Sequence, residues 1–256
     1  MSFLLGLDVG NTRIKAYRLP EHGWSGTPSP DWTADAASFA LPISGTSSLP
    51  DRLDGRWGWP PERVHVVSVR PDVAARLKDL FDAEGVAARF WDASDLPMKH
   101  PYENPHSLGP DRLLAALATS WLYPERDAIL IDAGTAVTMD WIDDQGRFRG
   151  GAILPGRAVL AAALAGAGAM LPRVTGLAAA AYPGEDTESS MTLGLRGAFE
   201  GGVLRVLELA RSVTPDARIV ITGGDSDHVA RVLEHEECAV IPDLMGLGLA
   251  LLEHEA

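Results

Sequence analysis

The stretch LLGLDVGNTRIKAY, residues 4–17, decides the fold of this chain, because its pattern returns as AILIDAGTAVTMD at residues 128–140. Each copy predicts a buried strand that ends in an acidic residue, a tight turn that contains glycine and threonine, and a second strand. The acidic residues are Asp8 and Asp132. A plain hairpin has no reason to repeat this pattern at a domain-sized interval. The repeat therefore indicates a functional pair of turns.

The residues of these turns suit a metal-bound polyphosphate. We name Gly10–Thr12 the first turn and Gly134–Thr135 the second turn. Glycine lets backbone N–H groups approach a ligand closely, and the threonine hydroxyl adds a hydrogen-bond donor. The neighbouring carboxylate suits a hydrated cation. Two such halves that face each other across a cleft would hold one nucleotide, and Lys15 either reaches a phosphate or is an exposed strand lysine.

A third glycine turn, Gly223–Gly224, follows a strand predicted at Ile219–Thr222. Two consecutive glycines permit close backbone approach to a flat or charged group, such as an adenosine or its α-phosphate. In order along the chain, the three turns thus predict two phosphate contacts and one nucleoside contact.

The remaining pattern predicts two α/β domains of similar build, residues 1–124 and 125–256, with the cleft between them as the default site. Strands are predicted at 38–43, 64–69, 87–91, 128–132, 136–142, 148–153, 219–222 and 239–241, beyond the first hairpin. Helices are predicted at 71–84, 110–122, 187–213, 226–235 and 244–254.

The composition excludes several classes of protein. A formal net charge of −13, from 35 acidic and 22 basic residues, argues against a nucleic-acid partner, which would need a basic face. Cys238 is the only cysteine, so neither an intrachain disulfide nor a cysteine-based zinc site can form. The N-terminal residues lack the basic region of a signal peptide, and the apolar stretch 158–171 is too short to span a bilayer. We therefore expect a cytoplasmic protein with no membrane partner.

The three turns together resemble the ATPase superfamily of sugar kinases, heat-shock chaperones and actin, over nearly the whole chain. Four blocks, two of which contain the second and third turns, are similar to those of type III pantothenate kinases and occur in the same order. They are YENPHSLGPDR at 102–112, DAGTAVT at 132–138, GGAILPG at 150–156 and TGGD at 222–225. The resemblance implies two ribonuclease-H-like (actin-like ATPase) domains around a nucleotide cleft.

The resemblance also implies an activity, the ATP-dependent phosphorylation of pantothenate to 4'-phosphopantothenate, which is the first step of coenzyme A biosynthesis. Asp111 would be the catalytic residue that accepts the proton of the pantothenate hydroxyl. Pro110 suits the first position of a helix, so Asp111 and Arg112 would lie in the first helical turn, where the helix dipole favours a carboxylate. The implied pantothenate-binding residues are Tyr102, Gly109, Pro110, Asp111, Arg112 and Thr187.

The resemblance further implies the cofactors ATP, Mg²⁺ and a monovalent cation, K⁺ or NH₄⁺, and a homodimer as the assembly. Asp132 would bind the monovalent cation, and Asp8 would hold Mg²⁺ through water. The implied ATP contacts are Asp8, Val9, Gly10, Asn11, Thr12, Arg13, Ile14, Lys15, Thr135, Gly223 and Gly224.

One departure from the family pattern affects the substrate pocket. The family has an Asn-Thr pair at the start of the long helix, where this chain has Asp186-Thr187. Aspartate is as good a helix N-cap as asparagine, but a carboxylate near a negatively charged substrate would weaken its binding.

Two alternatives stay open on the sequence. One is a kinase of the same superfamily that acts on another small hydroxyl substrate, and the other is an accessory regulatory protein with a kinase fold.

Overall fold

The computed structural model describes residues 3–20, 38–168, 170–174 and 181–255, which form two compact units. The first unit contains the described residues up to Arg126, together with Ile142–Arg149 and the described residues from Asp243 onwards. The second unit contains Asp127–Trp141 and the described residues of Gly150–Pro242. The two domains predicted from the sequence, residues 1–124 and 125–256, remain a prediction.

The first unit is built on a five-stranded sheet in the order β3-β2-β1-β4-β5. Strand β1 pairs antiparallel with β2 and parallel with β4, β2 pairs antiparallel with β3, and β4 pairs parallel with β5. The strands are β1 Leu4–Val9, β2 Arg13–Leu19, β3 Ser38–Pro42, β4 Arg63–Ser68 and β5 Ala87–Trp91.

The second sheet repeats this order, as β10-β9-β6-β7-β8 read from its other edge. The strands are β6 Ala128–Ala133, β7 Ala136–Ile142, β8 Phe148–Pro155, β9 Arg218–Thr222 and β10 Cys238–Val240. Strand β6 has the same succession of buried and half-buried residues as β1, and β7 has the same succession as β2. The predicted repeat of one α/β pattern is therefore confirmed at the level of individual strand positions.

The helices flank the two sheets, and most of them start where the sequence predicts. They are α1 Leu49–Asp54, α2 Pro71–Ala83, α3 Pro110–Leu122, α4 Arg157–Ala167, α5 Thr187–Val213, α6 Ser226–Val232 and α7 Leu244–Leu251. Helix α6 ends three residues before the predicted end at 235, and after α7 the chain continues as a 3₁₀ helix over Leu252–Glu255. Helices α1 and α4 are findings of the structure, since the sequence pattern predicts neither.

Helix α4 occupies most of the apolar stretch 158–171, and its alanine-rich sequence packs only partly, with Ala161 buried against the core of the second unit. Among the described residues, no helix combines the length and the apolar character that crossing a membrane would require.

The core of the first unit lies between the sheet and helices α1 and α2. Burying each large apolar side chain contributes about 1.5–3 kcal/mol relative to leaving it exposed. Trp57 and Trp59 pack onto the edge of this core, with Trp57 against Phe3 and Trp59 stacked on Phe81 at ring-centroid distances of 6.0 and 6.2 Å. The fully buried members include Leu5, Leu7, Val9, Ile14, Leu49, Leu53, Val73, Leu77 and Phe81.

Helix α7 closes the other side of the first unit, although it comes last along the chain. It packs against α3 and against β1. The contact with α3 is so close that a Cβ atom on Gly248 would lie 2.7 Å from Cγ of Leu114. A Cβ atom on Gly6 of β1 would similarly lie 3.0 Å from Cδ1 of Leu249. Glycine at these two positions is therefore what allows α7 to approach.

The core of the second unit lies between the second sheet and one face of the long helix α5. Leu195, Phe199, Val203 and Leu207 recur at helical spacing on that face, and all are buried. They pack against the alternating inward residues of the strands, which include Ile129, Ile131, Val137, Ile219 and Ile221. The central strands β1 and β6, near whose ends Asp8 and Asp132 lie, are thus anchored in buried cores.

Candidate active site

The first turn connects the buried end of β1 to β2. Its residues Asn11 and Thr12 are exposed, and the N–H of Gly10 donates a hydrogen bond to the carbonyl of Arg13 at 3.0 Å. The N–H of Ile43 donates to the carbonyl of Thr12 at 3.2 Å. Asp8 and Lys15 are direct partners across the antiparallel β1–β2 pair, so both flank the turn. The structure therefore brings the predicted residues 8–15 together at one end of the first sheet.

The second turn is held by two glycines from elsewhere in the second unit. A Cβ atom on Gly156 would collide with the carbonyl oxygens of Gly134 and Thr135, and the N–H of Gly156 donates to the carbonyl of Thr135 at 3.0 Å. On the other side, a Cβ atom on Gly223 would collide with the carbonyl of Ala133 and with Oδ1 of Asp132. Only glycine leaves enough space for these approaches.

The third turn is tied to the second turn by the main chain. Gly223 has φ of +92°, a left-handed conformation that glycine adopts without strain. The N–H of Asp225 donates to the carbonyl of Ala133 at 2.9 Å, and the carboxylate of Asp225 forms an ion pair with Arg157, the first residue of α4. The predicted residues Asp132, Thr135, Gly223 and Gly224 therefore lie together. The structure adds Gly156 and Arg157 to this group. In the sequence, only Gly156 could have been noticed, as the last residue of the block GGAILPG.

The start of helix α3 presents the predicted catalytic carboxylate. Gly109 is the N-cap and Pro110 the first helical residue, as predicted. Oδ1 of Asp111 accepts a hydrogen bond from the N–H of Arg112 at 2.8 Å. A Cβ atom on Gly109 would collide with that same Oδ1 atom, although the backbone angles of Gly109, φ −61° and ψ 126°, suit any residue. Glycine at 109 therefore makes room for the Asp111 carboxylate.

Phe148 brings Tyr102 and Arg112 together. The guanidinium carbon of Arg112 lies 5.3 Å from the centre of the Phe148 ring, and the Tyr102 ring lies 6.1 Å from it. Phe148 is fully buried, and its N–H donates to the carbonyl of Lys99 at 2.9 Å. An arginine on an aromatic face is oriented while its N–H donors remain directed outward. The sequence pattern shows Phe148 only as the first residue of a strand, so its part in this site is a finding of the structure.

A cavity of about 570 Å³ adjoins the start of α3 within the first unit. Its lining is about as polar as it is apolar. The lining residues include Ser68, Phe90, Trp91, His106, Gly109 and Pro110. Two of the predicted substrate-binding residues thus face an open volume that a small molecule can enter.

Asp186 caps helix α5, which begins at Thr187, and forms a capping box with Ser189. Oδ1 of Asp186 accepts from the N–H of Ser189 at 2.7 Å, and Oγ of Ser189 accepts from the N–H of Asp186 at 3.1 Å. The backbone hydrogen bond from Ser189 is the main cause that lowers the pKa of Asp186, with the Ser189 hydroxyl as a second cause. The predicted N-cap role of Asp186 is therefore confirmed. Thr187 faces a separate cavity of about 620 Å³ in the second unit, beside Ser190 and Met191.

Comparisons with known proteins show the family of this chain. The family model described as type III pantothenate kinase matches residues 4–208. A type III pantothenate kinase from Rubrobacter xylanophilus is 33% identical, over 97% of this chain and 96% of its own length.

Two solved structures share the fold at low sequence identity. One is a Campylobacter jejuni protein ascribed to the Baf family of transcriptional activators, with a TM-score of 0.62, 20% identity and 98% coverage of both chains. The other is the activator of 2-hydroxyisocaproyl-CoA dehydratase from Clostridium difficile with bound ADPNP. Its TM-score is 0.56 at 17% identity, with 99% of this chain and 94% of that chain covered. The fold is therefore that of the actin-like ATPases, and the chain belongs to the type III pantothenate kinase family.

Proposed function

We propose that this chain transfers the γ-phosphoryl group of ATP to the hydroxyl of pantothenate, to form 4'-phosphopantothenate and ADP at the start of coenzyme A biosynthesis. Membership of the family supports this reaction, and kinases of this family use ATP. The observation that carries the proposal is the start of α3. There Gly109 leaves space for the carboxylate of Asp111, while Arg112 and Tyr102 pack on Phe148.

In this proposal Asp111 accepts the proton of the attacking hydroxyl. A carboxylate is a weak base for an alcohol, but phosphoryl transfer passes through a loose transition state that needs mainly orientation and late removal of the proton. General-base assistance of this kind contributes about 10²–10⁴-fold in rate. Asp111 is suited to orient the hydroxyl because the N–H of Arg112 fixes one of its oxygens.

Arg112 would bind the carboxylate of pantothenate through paired hydrogen bonds, which is the geometry that a guanidinium favours. Tyr102, Gly109 and Pro110 would line the same pocket, and Thr187, which faces a separate cavity in the second unit, is proposed as a substrate contact on the family resemblance alone. The Asp186 carboxylate is already engaged by the N–H of Ser189, so its charge is directed to the helix start. We therefore propose that Asp186 serves as a cap rather than as a substrate contact.

The nucleotide would contact residues 8–15 of the first turn and its flanks, Thr135 of the second turn, and Gly223 and Gly224 of the third. Carboxylate oxygens suit a hard cation, so Asp132 would hold K⁺ or NH₄⁺, and Asp8 would hold Mg²⁺ through water. Such cations supply positive charge that stabilises the transferred phosphoryl group.

We also propose a cytoplasmic homodimer. In the second unit, helix α5 exposes Leu204, Leu209 and Val213, of which 48%, 50% and 64% of the surface is accessible. Leu209 and Val213 lie one turn apart on the same face, and adjacent exposed apolar residues are typical of a contact surface, whereas Leu204 lies on another face of the helix. Light scattering after size-exclusion chromatography tests this. A dimer that dissociates on Leu209→Glu supports the surface, and a wild-type monomer contradicts it.

The decisive experiment measures ADP release with ATP, Mg²⁺ and pantothenate, in potassium or ammonium compared with sodium. We expect turnover that requires pantothenate, and a loss of kcat of about 10²-fold or more in Asp111→Asn. Asp79→Asn, an exposed acid of helix α2, is the matched control and should retain full activity.

Arg112→Ala separates pantothenate from another hydroxyl substrate. Loss of a charged, paired hydrogen bond should raise the KM for pantothenate about tenfold or more, while Arg76→Ala on α2 should leave it unchanged. An unchanged KM in Arg112→Ala would favour a different acceptor. Folded protein that binds ATP but releases no ADP in any salt would favour a regulatory role.

A further inference from the structure

Arg70 lies beside the first turn because of the way two strands pair. Strands β1 and β4 run parallel, with Val9 opposite Ser68, and the N–H of Val69 donates to the carbonyl of Val9 at 3.0 Å. The segments that follow the two strands therefore begin side by side. One segment is the first turn, and the other carries Arg70 into helix α2.

The guanidinium of Arg70 bridges the first turn and the start of α2. Its Nη1 donates to the carbonyl oxygen of Asn11 at 3.2 Å, while Nε and Nη2 donate to the two carboxylate oxygens of Asp72 at 2.9 and 2.8 Å. The main chain of Arg70 is held as well, since its N–H donates to Oγ of Ser68 at 3.1 Å and its carbonyl accepts from the same hydroxyl. The fork with Asp72 therefore directs Nη1 at the turn.

Holding the carbonyl of Asn11 sets the direction of a whole peptide group. The peptide is planar and trans, so the N–H of Thr12 points to the side opposite the carbonyl of Asn11. Arg70 therefore turns that N–H away from itself. The next carbonyl, that of Thr12, accepts from the N–H of Ile43. Both exposed residues of the first turn thus have their carbonyl oxygens engaged by the protein, which suits a turn that presents N–H donors to an anion.

We propose that Arg70 is a positioning residue, which orients the first turn for the phosphates of ATP. This inference rests on the proposed function, in which the first turn contacts ATP. The simpler interpretation is an exposed ion pair at the start of a helix, which contributes little to stability. The two interpretations differ in one respect. An ion pair that only supports α2 has no reason to affect ATP more than pantothenate.

Steady-state kinetics with each substrate varied in turn test the inference. In Arg70→Ala we expect the KM for ATP to rise about 3–10-fold, as for loss of a hydrogen bond from a charged donor. The KM for pantothenate and kcat should stay at the wild-type values, because the guanidinium of Arg70 contacts Asn11 and Asp72 and is not part of the lining of the cavity beside Gly109 and Pro110. Lys78→Ala is the matched control, since Lys78 pairs with Asp82 at 2.7 Å on the same helix and is equally a surface ion pair.

Two further variants grade the effect. Arg70→Lys keeps a donor for the Asn11 carbonyl but loses the fork with Asp72, so its KM for ATP should lie between those of wild type and Arg70→Ala. Asp72→Asn weakens the fork and keeps Arg70, and should raise the KM for ATP about twofold. If Arg70→Ala does not fold, Asp72→Asn carries the test.

Each negative result has a distinct meaning. An active wild type, with Arg70→Ala and Asp72→Asn indistinguishable from Lys78→Ala in the KM for ATP, would overturn the role of Arg70. Equal increases in both KM values would also overturn it, because they indicate a general structural effect. A wild type without turnover contradicts the proposed function instead. Titration with ATP would then still compare the affinities of wild type and Arg70→Ala.

Discussion

The first and second turns follow the same sequence pattern, but they differ in length and in the groups that contact them. Three residues separate β1 from β2, whereas two separate β6 from β7. The N–H of Gly10 accordingly reaches the carbonyl of Arg13, while that of Gly134 reaches the nearer Ala136. A side chain, Arg70, contacts the longer first turn, and the backbone of two distant glycines encloses the shorter second turn.

The difference indicates where each turn is sensitive to mutation. A hydrogen bond from an exposed side chain can change without disturbing a core, so alterations around the first turn should affect the use of ATP before they affect stability. Backbone packed without space for a Cβ atom is part of the fold itself, because interiors tolerate little added volume. Alterations around the second turn should therefore affect stability first.

The largest effect is expected for Gly223→Ala. A left-handed backbone costs an L-residue about 1–2 kcal/mol, and the collision with Ala133 and Asp132 adds about 1–3 kcal/mol, so the free energy of unfolding should fall by about 2–5 kcal/mol. Urea denaturation measures this loss. Gly224→Ala is the control, since a Cβ atom there meets nothing within 4 Å, and a comparable loss in that variant would contradict the explanation.

A smaller loss is expected for Gly156→Ala. Its backbone angles, φ −70° and ψ 166°, are open to alanine, so only the collision with the second turn acts, at about 1–3 kcal/mol. Gly166→Ala, within α4 and in open space, should instead be stabilising by about 0.5–1 kcal/mol. Thermal melting of both variants gives the comparison. Equal melting temperatures would show that the second turn yields to the added methyl group.

Gly10→Ala sharpens the comparison from the other side. The nearest atom to a Cβ at Gly10 is the carbonyl oxygen of Arg13 at 3.6 Å, an ordinary contact, so the melting temperature should be almost unchanged. The KM for ATP should nevertheless rise about 3–10-fold, because the methyl group hinders close approach of a phosphate to the turn. A large drop in melting temperature would remove the contrast between the turns. Unchanged kinetics would argue against a phosphate at the first turn.

The smallest effect concerns pH and strand β4, which leads to Arg70. Nε1 of Trp91 donates to Nδ1 of the buried His65 at 3.0 Å, so the proton of the neutral ring lies on Nε2, which donates to Glu253 at 2.7 Å. Burial lowers the pKa of His65, against the opposing influence of Glu253, and the nearby charges of Arg63 and Arg89 lower it slightly further.

Because the unfolded chain then binds the proton more readily, stability should be complete above pH 6.5 and should decline as the pH falls below it, by up to about 1.4 kcal/mol per pH unit. Melting curves at pH 7.5, 6.5 and 5.5 for wild type and His65→Gln test this. The wild type should lose more stability on acidification than the variant. Parallel losses would assign the pH dependence to other groups.

Much of the fold could be predicted because it depends on local pattern. The alternation in residues 4–17 and 128–140 predicts the strands and turns, and Pro71 and Pro110 mark the starts of their helices. Helix α4 could not be predicted, because an Ala- and Gly-rich stretch shows little contrast between an inner and an outer face. The N-terminal residue of α4, Arg157, is nevertheless held in place by its ion pair with Asp225.

The site divides in the same way. Asp8, Asp111, Asp132 and the pair Gly223–Gly224 occupy recognisable motifs, and they lie near the end of β1, at the start of α3, near the end of β6 and after β9, respectively. Gly156, Phe148 and Arg70 act through contacts with residues far away in sequence, and a single chain carries no local signal for such contacts. The sequence alone therefore predicts which groups carry the chemistry, and the structure adds which groups hold them in place.

The attachment of helix α7 has a consequence for the order in which the protein forms. Domains usually fold in turn as the ribosome delivers them, with the N-terminal one first. Here β1 packs against Leu249, α3 packs against Gly248, and His65 bonds to Glu253. All three of these C-terminal partners are synthesised after the whole of the second unit. The first unit can therefore be completed only after the whole of the second unit has been synthesised. A released chain that ends before Asp243 would therefore expose the apolar surface that α7 covers in the first unit, whereas the second unit lies entirely before that residue.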